Sequence, residues 1–192
     1  VSSQVSSVPR RGLNARQAET VARLLAAADL ELREVGPEAL TVRTVALRAG
    51  VSAATAYTYL ASKNHLFAEL FLRHLQSDRP PQPAGADRVA RVQAVTRHLA
   101  ASLAASPELA AGVTSALLGS DPEVARLRLR IGAEYVDRFA EALGDDPDPA
   151  VVETLALAFS GALLQAGMGL MTYTEMGARL DVVVATILRG TP

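Results

Sequence analysis

Helix-spaced apolar residues run through this chain, broken at intervals by Gly, Pro and capping side chains, and they predict nine helices. Val21, Leu24, Leu25, Ala28, Leu32 and Val35 share one face of a helix from about Asn14, its cap, to Val35, where Gly36 and Pro37 stop it. Leu40 leads into a short second helix. Thr41 caps it, Val42, Val45, Ala46 and Ala49 form its apolar face, and Gly50 ends it. Val51 turns back into the core, and Ser52 caps a third helix, Ala53 to Leu60, of about two turns. A fourth, from about Lys63 to Gln76, carries Leu66, Phe67, Leu70, Phe71 and Leu75.

The stretch Ser77–Asp87 holds three prolines and a glycine and reads as a linker. Beyond it, Val89, Val92, Thr96, Leu99 and Leu103 predict a helix from about Asp87 to Ala105. Ser106-Pro107-Glu108 and Ser120-Asp121-Pro122-Glu123 are two start signals of the same grammar, opening helices that end at Leu118 and by Gly144. The eighth helix, about Pro149 to Tyr173, is apolar nearly all round and is expected to be buried on every side, by its own domain and by a second subunit. Ala158, Ala162 and Ala166, four apart, allow close approach, while Glu153, Gln165 and several glycines argue against a membrane span. A ninth, about Glu175 to Leu188, places Met176, Leu180, Val183, Val184 and Ile187 on one stripe. The expected architecture is all-α: a disordered arm over residues 1–12, an N-terminal helical head over 13–76 and a helical body over 77–192.

Composition narrows the function. Of 192 residues 49% are hydrophobic, enough for one domain with a sizeable core or two small ones, and none is Trp or Cys. Disulfides and thiolate metal sites are thereby excluded, which fits a reducing cytoplasm. The Ser-rich polar start shows no signal-peptide pattern, no apolar run approaches the roughly 20 residues of a span, and an initial Val points to a trimmed or tagged start. Net charge is −1, but residues 1–76 hold nine basic and six acidic groups (+3), and residues 77–192 hold ten and fourteen (−4). That asymmetry fits a basic nucleic-acid-binding head on an acidic body. Arg10 and Arg11 could form an arm reaching a minor groove or phosphates.

Two short helices joined by a tight turn are the layout of a helix-turn-helix, whose second helix enters the DNA major groove. On that helix Ala53, Ala54, Tyr57 and Thr58 share a face, Thr55 and Tyr59 flank it, and Ala56 and Leu60 turn inward. Small Ala side chains allow close approach to base edges, and Tyr hydroxyls suit phosphate oxygens. Lys63, the only lysine, opens a helix where positive charge opposes the helix dipole, so an outside anion is its expected partner. Thr41 and Arg43 are further phosphate candidates, with Arg43 able to reach a base, whereas Arg48 reads as a solvated charge. His65, His74 and His98 share no metal-ligand spacing, and no phosphate loop, nucleophile elbow or paired acid is present, so neither metal, cofactor nor catalysis is expected.

The run GVSAATAYTYLASKNHL, Gly50 to Leu66, resembles the signature of the TetR family of bacterial transcription repressors in its Gly-hydrophobe-Ser turn (Gly50, Val51, Ser52), in Tyr57 and Tyr59, and in Lys63 opening the next helix. The resemblance covers about the first third of the chain and implies DNA contacts from Thr41, Arg43, Ser52, Ala53, Ala54, Thr55, Tyr57, Thr58, Tyr59 and Lys63. It also implies a homodimer through helices 8 and 9, a pseudo-palindromic double-stranded operator, and a small-molecule effector bound among helices 5 to 8. Leu103, Val113, Leu117, Tyr135, Phe139, Phe159, Leu163 and Met168 are the candidate apolar lining, with Gln165, Tyr135, Arg130 or Arg138 for polar contacts. Gly112, Gly161, Gly167 and Gly169 each cost about 1 kcal/mol in a helix, which close packing or room for a ligand must explain. The run from Ala54 to Leu75 looks like actinobacterial members controlling lipid or sterol catabolism, which implies a lipid, steroid or acyl-CoA effector. Two rivals stay open: a DNA-binding protein with a solid body, which a body pocket of about 300 Å³ or more would oppose, and an α-helical enzyme or carrier, which needs a polar, pKa-perturbed cluster.

Overall fold

The computed structural model describes residues 15–79 and 85–190; Asn14, Arg10 and Arg11 lie outside them. Those residues form nine helices and no strand: α1 Ala15–Ala39, which is interrupted at Gly36 (φ +76°) where the sequence predicts a stop, α2 Val42–Arg48, α3 Ala53–Tyr59, α4 Lys63–Ser77, α5 Arg88–Ala105, α6 Pro107–Leu118, α7 Pro122–Leu143, α8 Pro149–Gly167 and α9 Tyr173–Arg189.

Most boundaries follow from capping. Thr41 and Thr44 form a reciprocal capping box at α2, with each backbone N–H donating to the other's Oγ1 at 3.1 Å. Ser52, Ser62 and Asp87 cap α3, α4 and α5 through side-chain oxygens. Ser106 stands at the start of α6 but makes no side-chain cap; Pro107 and a 104° bend from α5 set that boundary instead. Asp121 and Asp148 cap α7 and α8.

The end of α8 departs from expectation. Gly169 takes φ +76°, and the Gly169 and Leu170 amides donate to the Ala166 and Gln165 carbonyls, closing the helix at Gly167 rather than Tyr173. Thr172 and Glu175 then make a capping box that starts α9 at Tyr173. A T-x-x-E box after an apolar run is a start signal that outweighs hydrophobic continuity. The buried stripe of α9 is Met176, Leu180, Val184 and Leu188; Val183 is exposed.

The core is continuous from Leu24 to Leu188. α4 ties the two ends of the chain together, packing on α1 and also on α6 and α7, while α5 lies along α9 and α8 packs on α7 and α9. Two of the costly glycines serve close packing. A Cβ at Gly112 would sit 2.3 Å from the Phe67 ring, and one at Gly167 would sit 2.6 Å from Thr114. α8 is not buried all round within one chain. Val152, Leu155, Phe159 and Ala166 are buried, but Leu157, Leu164 and Met168 face outward, as do Val182 and Val183 of α9. By length and mean hydropathy (1.5) α8 meets the composition test for a membrane span, because its few polar residues are diluted by Ala, Leu and Val.

Candidate functional site

Gly50 at φ +66° turns the chain between α2 and α3, and the Val51 amide donates back to the Ala46 carbonyl at 3.0 Å. α3 then presents one covered side and one open side. Ala56 (0% exposed) and Leu60 (1%) anchor it in the core, while Ala53, Ala54, Thr55, Tyr57 and Thr58 are exposed. Tyr59 is half-buried against the core, with its side toward α1. The Thr58 hydroxyl donates to the Ala54 carbonyl at 3.0 Å, so its methyl is the part free to meet a partner. The Ser52 hydroxyl is held by the Thr55 amide and by the Thr55 hydroxyl at 2.8 Å.

Arginines of α1 adjoin α3, and further candidate contacts lie on α2 and α4. Thr41 and Arg43 are exposed at the head of α2. Lys63 Nζ donates to the Glu38 carbonyl at 2.8 Å, which fixes it at the end of α1 and leaves its other two N–H donors available to an anion. A recess between α1 and α3 is walled by Arg16, Thr20, Arg23, Val51, Ser52, Thr55 and Tyr59, with no acid in its wall. Arg16 and Arg23 were not singled out from sequence; the signal is there, since two arginines seven apart share a helix face.

Arg48 is an exposed charge, as its spacing predicts, but it also has partners. Its Nε meets Glu31 Oε2 at 2.5 Å and its Nη2 also pairs with Glu34, which locks α2 onto α1 and raises the guanidinium's pKa, chiefly through the Glu31 bond. The pairing spans seventeen residues and joins a position spaced as core, Glu31, to one spaced as surface.

Residues of α4 to α9 line a cavity of about 300 Å³ that is partly open to solvent. Leu103, Val113, Leu117, Tyr135 and Leu163 line it, with Phe71, Ile131, Leu164 and Tyr173 among the additional wall residues. Phe139 and Phe159 lie behind the wall: the Tyr135 and Phe159 ring centroids are 4.8 Å apart, and Phe139 and Phe159 are 5.9 Å apart. Gln165 and Met168 face solvent, because α8 turns them away from Leu163 and ends beside Met168. Arg130 is exposed, 4.0 Å from Glu69. Arg138, 2% exposed, braces the end of α4 by donating to the Leu75 and Asp78 carbonyls. The arginine that does reach the wall is Arg128. Among the described residues no group of His, Asp or Glu is placed to hold a metal.

Comparison with known proteins places this geometry. Residues 24–70 match the model of the bacterial regulatory proteins of the tetR family. An uncharacterised HTH-type transcriptional regulator of Mycobacterium tuberculosis is 47% identical over 179 residues, which cover 92% of this chain and 84% of the relative. The HTH-type transcriptional repressor KstR of Rhodococcus jostii is 28% identical over 160 residues, 80% of this chain and 75% of that protein. The fold matches a TetR transcriptional regulator from Rhodococcus sp. RHA1 with a TM-score of 0.78 at 19% identity, covering 93% and 100% of the two chains. It also matches Thermus thermophilus FadR in complex with lauroyl-CoA with a TM-score of 0.64 at 23% identity, covering 89% and 94%. With a helix-turn-helix that leaves one face of α3 open and a relative 47% identical over most of both chains, the chain belongs to the TetR family of DNA-binding transcriptional regulators.

Proposed function

We propose that the protein is a cytoplasmic repressor that binds a pseudo-palindromic operator as a homodimer and leaves it when a small hydrophobic effector fills the body cavity. The observation that carries this is the open face of α3, flanked by Arg16 and Arg23 of α1 and accompanied by a separate apolar cavity among α4 to α9. Residues 13–76 act as the head and 77–192 as the body. Ala53, Ala54 and the Thr58 methyl meet base edges, where small apolar groups suit a thymine methyl. Thr41, Arg43, Ser52, Thr55, Tyr57, Tyr59 and Lys63 meet phosphates and set the register, joined by Arg16 and Arg23. The exposed apolar residues of α8 and α9 (Leu157, Leu164, Val182 and Val183) pair with their mates in a second copy, placing two heads about 34 Å apart in successive major grooves.

The cavity meets the lower bound for a ligand pocket, which supports a sensor over a solid body. Its apolar wall supports a lipid, steroid or acyl-CoA effector. Binding favours a head spacing that no longer fits the operator, a shift between existing conformations.

Fluorescence anisotropy on duplexes selected from random DNA tests the reading. Binding should weaken steeply with salt, and Tyr57→Phe combined with Lys63→Ala should weaken it on every sequence. Salt-insensitive binding, or no effect of the pair, refutes it.

A further inference from the structure

Two buried donors in the cavity wall have no partner. The Tyr135 hydroxyl is one: Tyr135 is 5% exposed, lines the cavity and meets no acceptor. Arg128 Nε is the other; Arg128 Nη2 is engaged with the Gly119 carbonyl at 2.6 Å, but Nε is buried and unpaired. Buried polar groups are ordinarily paired, and each exception calls for a reason. Thr114 needs none, since its hydroxyl donates to the Ala110 carbonyl at 3.0 Å. No Asp or Glu lines the cavity, so nothing there answers a cation, and Arg128 supplies positive charge. Arg128 and Tyr135 are seven residues apart on α7, hence on one face and separated by about 10 Å along the axis. Between them Gly132, with open space where a Cβ would stand, faces Ser160, and these four residues also line an outer apolar groove between α7 and α8. The cavity therefore opens at the same place as its polar groups.

We propose that the effector is an elongated apolar acid with a second oxygen acceptor. Its carboxylate pairs with Arg128, its apolar body lies along Ile131, Leu117 and Leu163, and a keto or similar oxygen about 10 Å away accepts from the Tyr135 hydroxyl. The volume, on the order of ten water volumes, suits a body of about ten heavy atoms. Burial raises the Tyr135 phenol pKa, which keeps it a donor at any physiological pH. The carboxylate also competes for the guanidinium that holds the Gly119 carbonyl, in the turn between α6 and α7. That turn ends at Asp121, which is hydrogen-bonded to the head-side residue Ser62. The inference rests on the effector reading above and names its ligand chemistry.

Isothermal titration of the full-length protein with decanoate, 9-oxodecanoate, decanol and decylamine tests it. Wild type should bind decanoate about tenfold more tightly than decanol and decylamine not at all, and 9-oxodecanoate more tightly still. Arg128→Gln should erase the preference of acid over alcohol while decanol still binds, and Arg128→Lys should retain it. Tyr135→Phe should erase only the gain from the oxo group. Equal affinity for acid and alcohol, or a preference unmoved by Arg128→Gln, overturns the proposal. If no acid binds, Nile red separates the two ideas. Dye bound by wild type and lost in Leu163→Trp leaves an effector cavity of other chemistry, and dye bound by neither removes the effector reading as well.

Discussion

The Ser62 hydroxyl donates to Asp121 Oδ2 at 2.5 Å, joining the cap of α4 to the cap of α7 across 59 residues of sequence. Ser62 also accepts from the His65 amide at 3.0 Å, and Asp121 from the Glu123 amide at 2.9 Å, so each residue holds its own helix and the other's start. α4 follows the proposed reading helix directly, and α7 carries Arg128 and Tyr135 of the cavity wall. The bond is thus a short physical link between the helix that carries part of the cavity wall and the start of α4.

Ser62→Ala should lower stability by about 1 kcal/mol through the lost cap, with a few tenths more from the Asp121 bond, which is discounted for its solvent exposure. The Asp121 carboxyl is held below the usual carboxylate range, first by Ser62 and then by the Glu123 amide. A depressed folded-state pKa stabilises the fold above the unfolded value, about 3.9, and that contribution is lost as pH falls through the folded value. The gap between wild type and Ser62→Ala, measured by urea unfolding across pH, should be constant near neutrality and narrow below about pH 4. A gap that widens in acid contradicts the assignment.

The Arg48–Glu31 pair sets the angle of α2 on α1. Arg48→Met strands a carboxylate that is only 8% exposed, and should lower the thermal midpoint by about 3–5 °C. Glu31→Gln, whose amide oxygen still accepts from Arg48, should cost less. Equal midpoints for wild type and Arg48→Met in calorimetry would show the pair to be incidental.

Neighbouring residues on α3 should separate function from stability. Tyr57→Ala, at a side chain 45% exposed, should leave unfolding within about 0.5 kcal/mol and cut operator affinity about tenfold or more. Ala56→Leu, at a fully buried site, should overpack the head and cost about 1–3 kcal/mol. Anisotropy and urea titration on the same samples distinguish the two. A Tyr57→Ala protein that binds normally removes Tyr57 from the interface.

Glycines of like helical setting should respond with opposite signs. Gly112→Ala drives a methyl into the Phe67 ring where α4 crosses α6, and should destabilise by about 1–3 kcal/mol. Gly132→Ala meets open space on α7 and should stabilise by about 0.5–1 kcal/mol. Thermal unfolding of both variants checks the packing directly.

Leu157 and Val182 are 67% and 68% exposed on α8 and α9. Leu157→Glu with Val182→Glu should convert a dimer to a folded monomer in light scattering and abolish operator binding, because one head alone makes half the phosphate contacts. A variant that stays dimeric moves the interface elsewhere.

Local chemistry was legible in the chain before any packing was known. Thr41, Gly50, Ser52 and Lys63 lie where capping and turn rules put them, and Ala56 and Leu60 face inward as their spacing demands, because such effects act within one helical turn. The Thr172–Glu175 box, which ends the α8 run early, is a local signal that hydrophobic continuity masks, and the start signal at Asp121 gives no hint that its second oxygen reaches Ser62. What the tertiary structure alone decided depends on where helices cross. Arg48 looks solvated in sequence and is paired to Glu31 only because α1 and α2 meet there. Arg128 rather than Arg130 or Arg138 reaches the cavity because about 100° of helical rotation per residue divides neighbouring arginines among solvent, the end of α4 and the wall. Periodicity shows that a helix has an apolar face; it carries no phase relative to partners distant in sequence, and that phase separates a wall residue such as Leu163 from Phe159 behind it or Met168 in solvent.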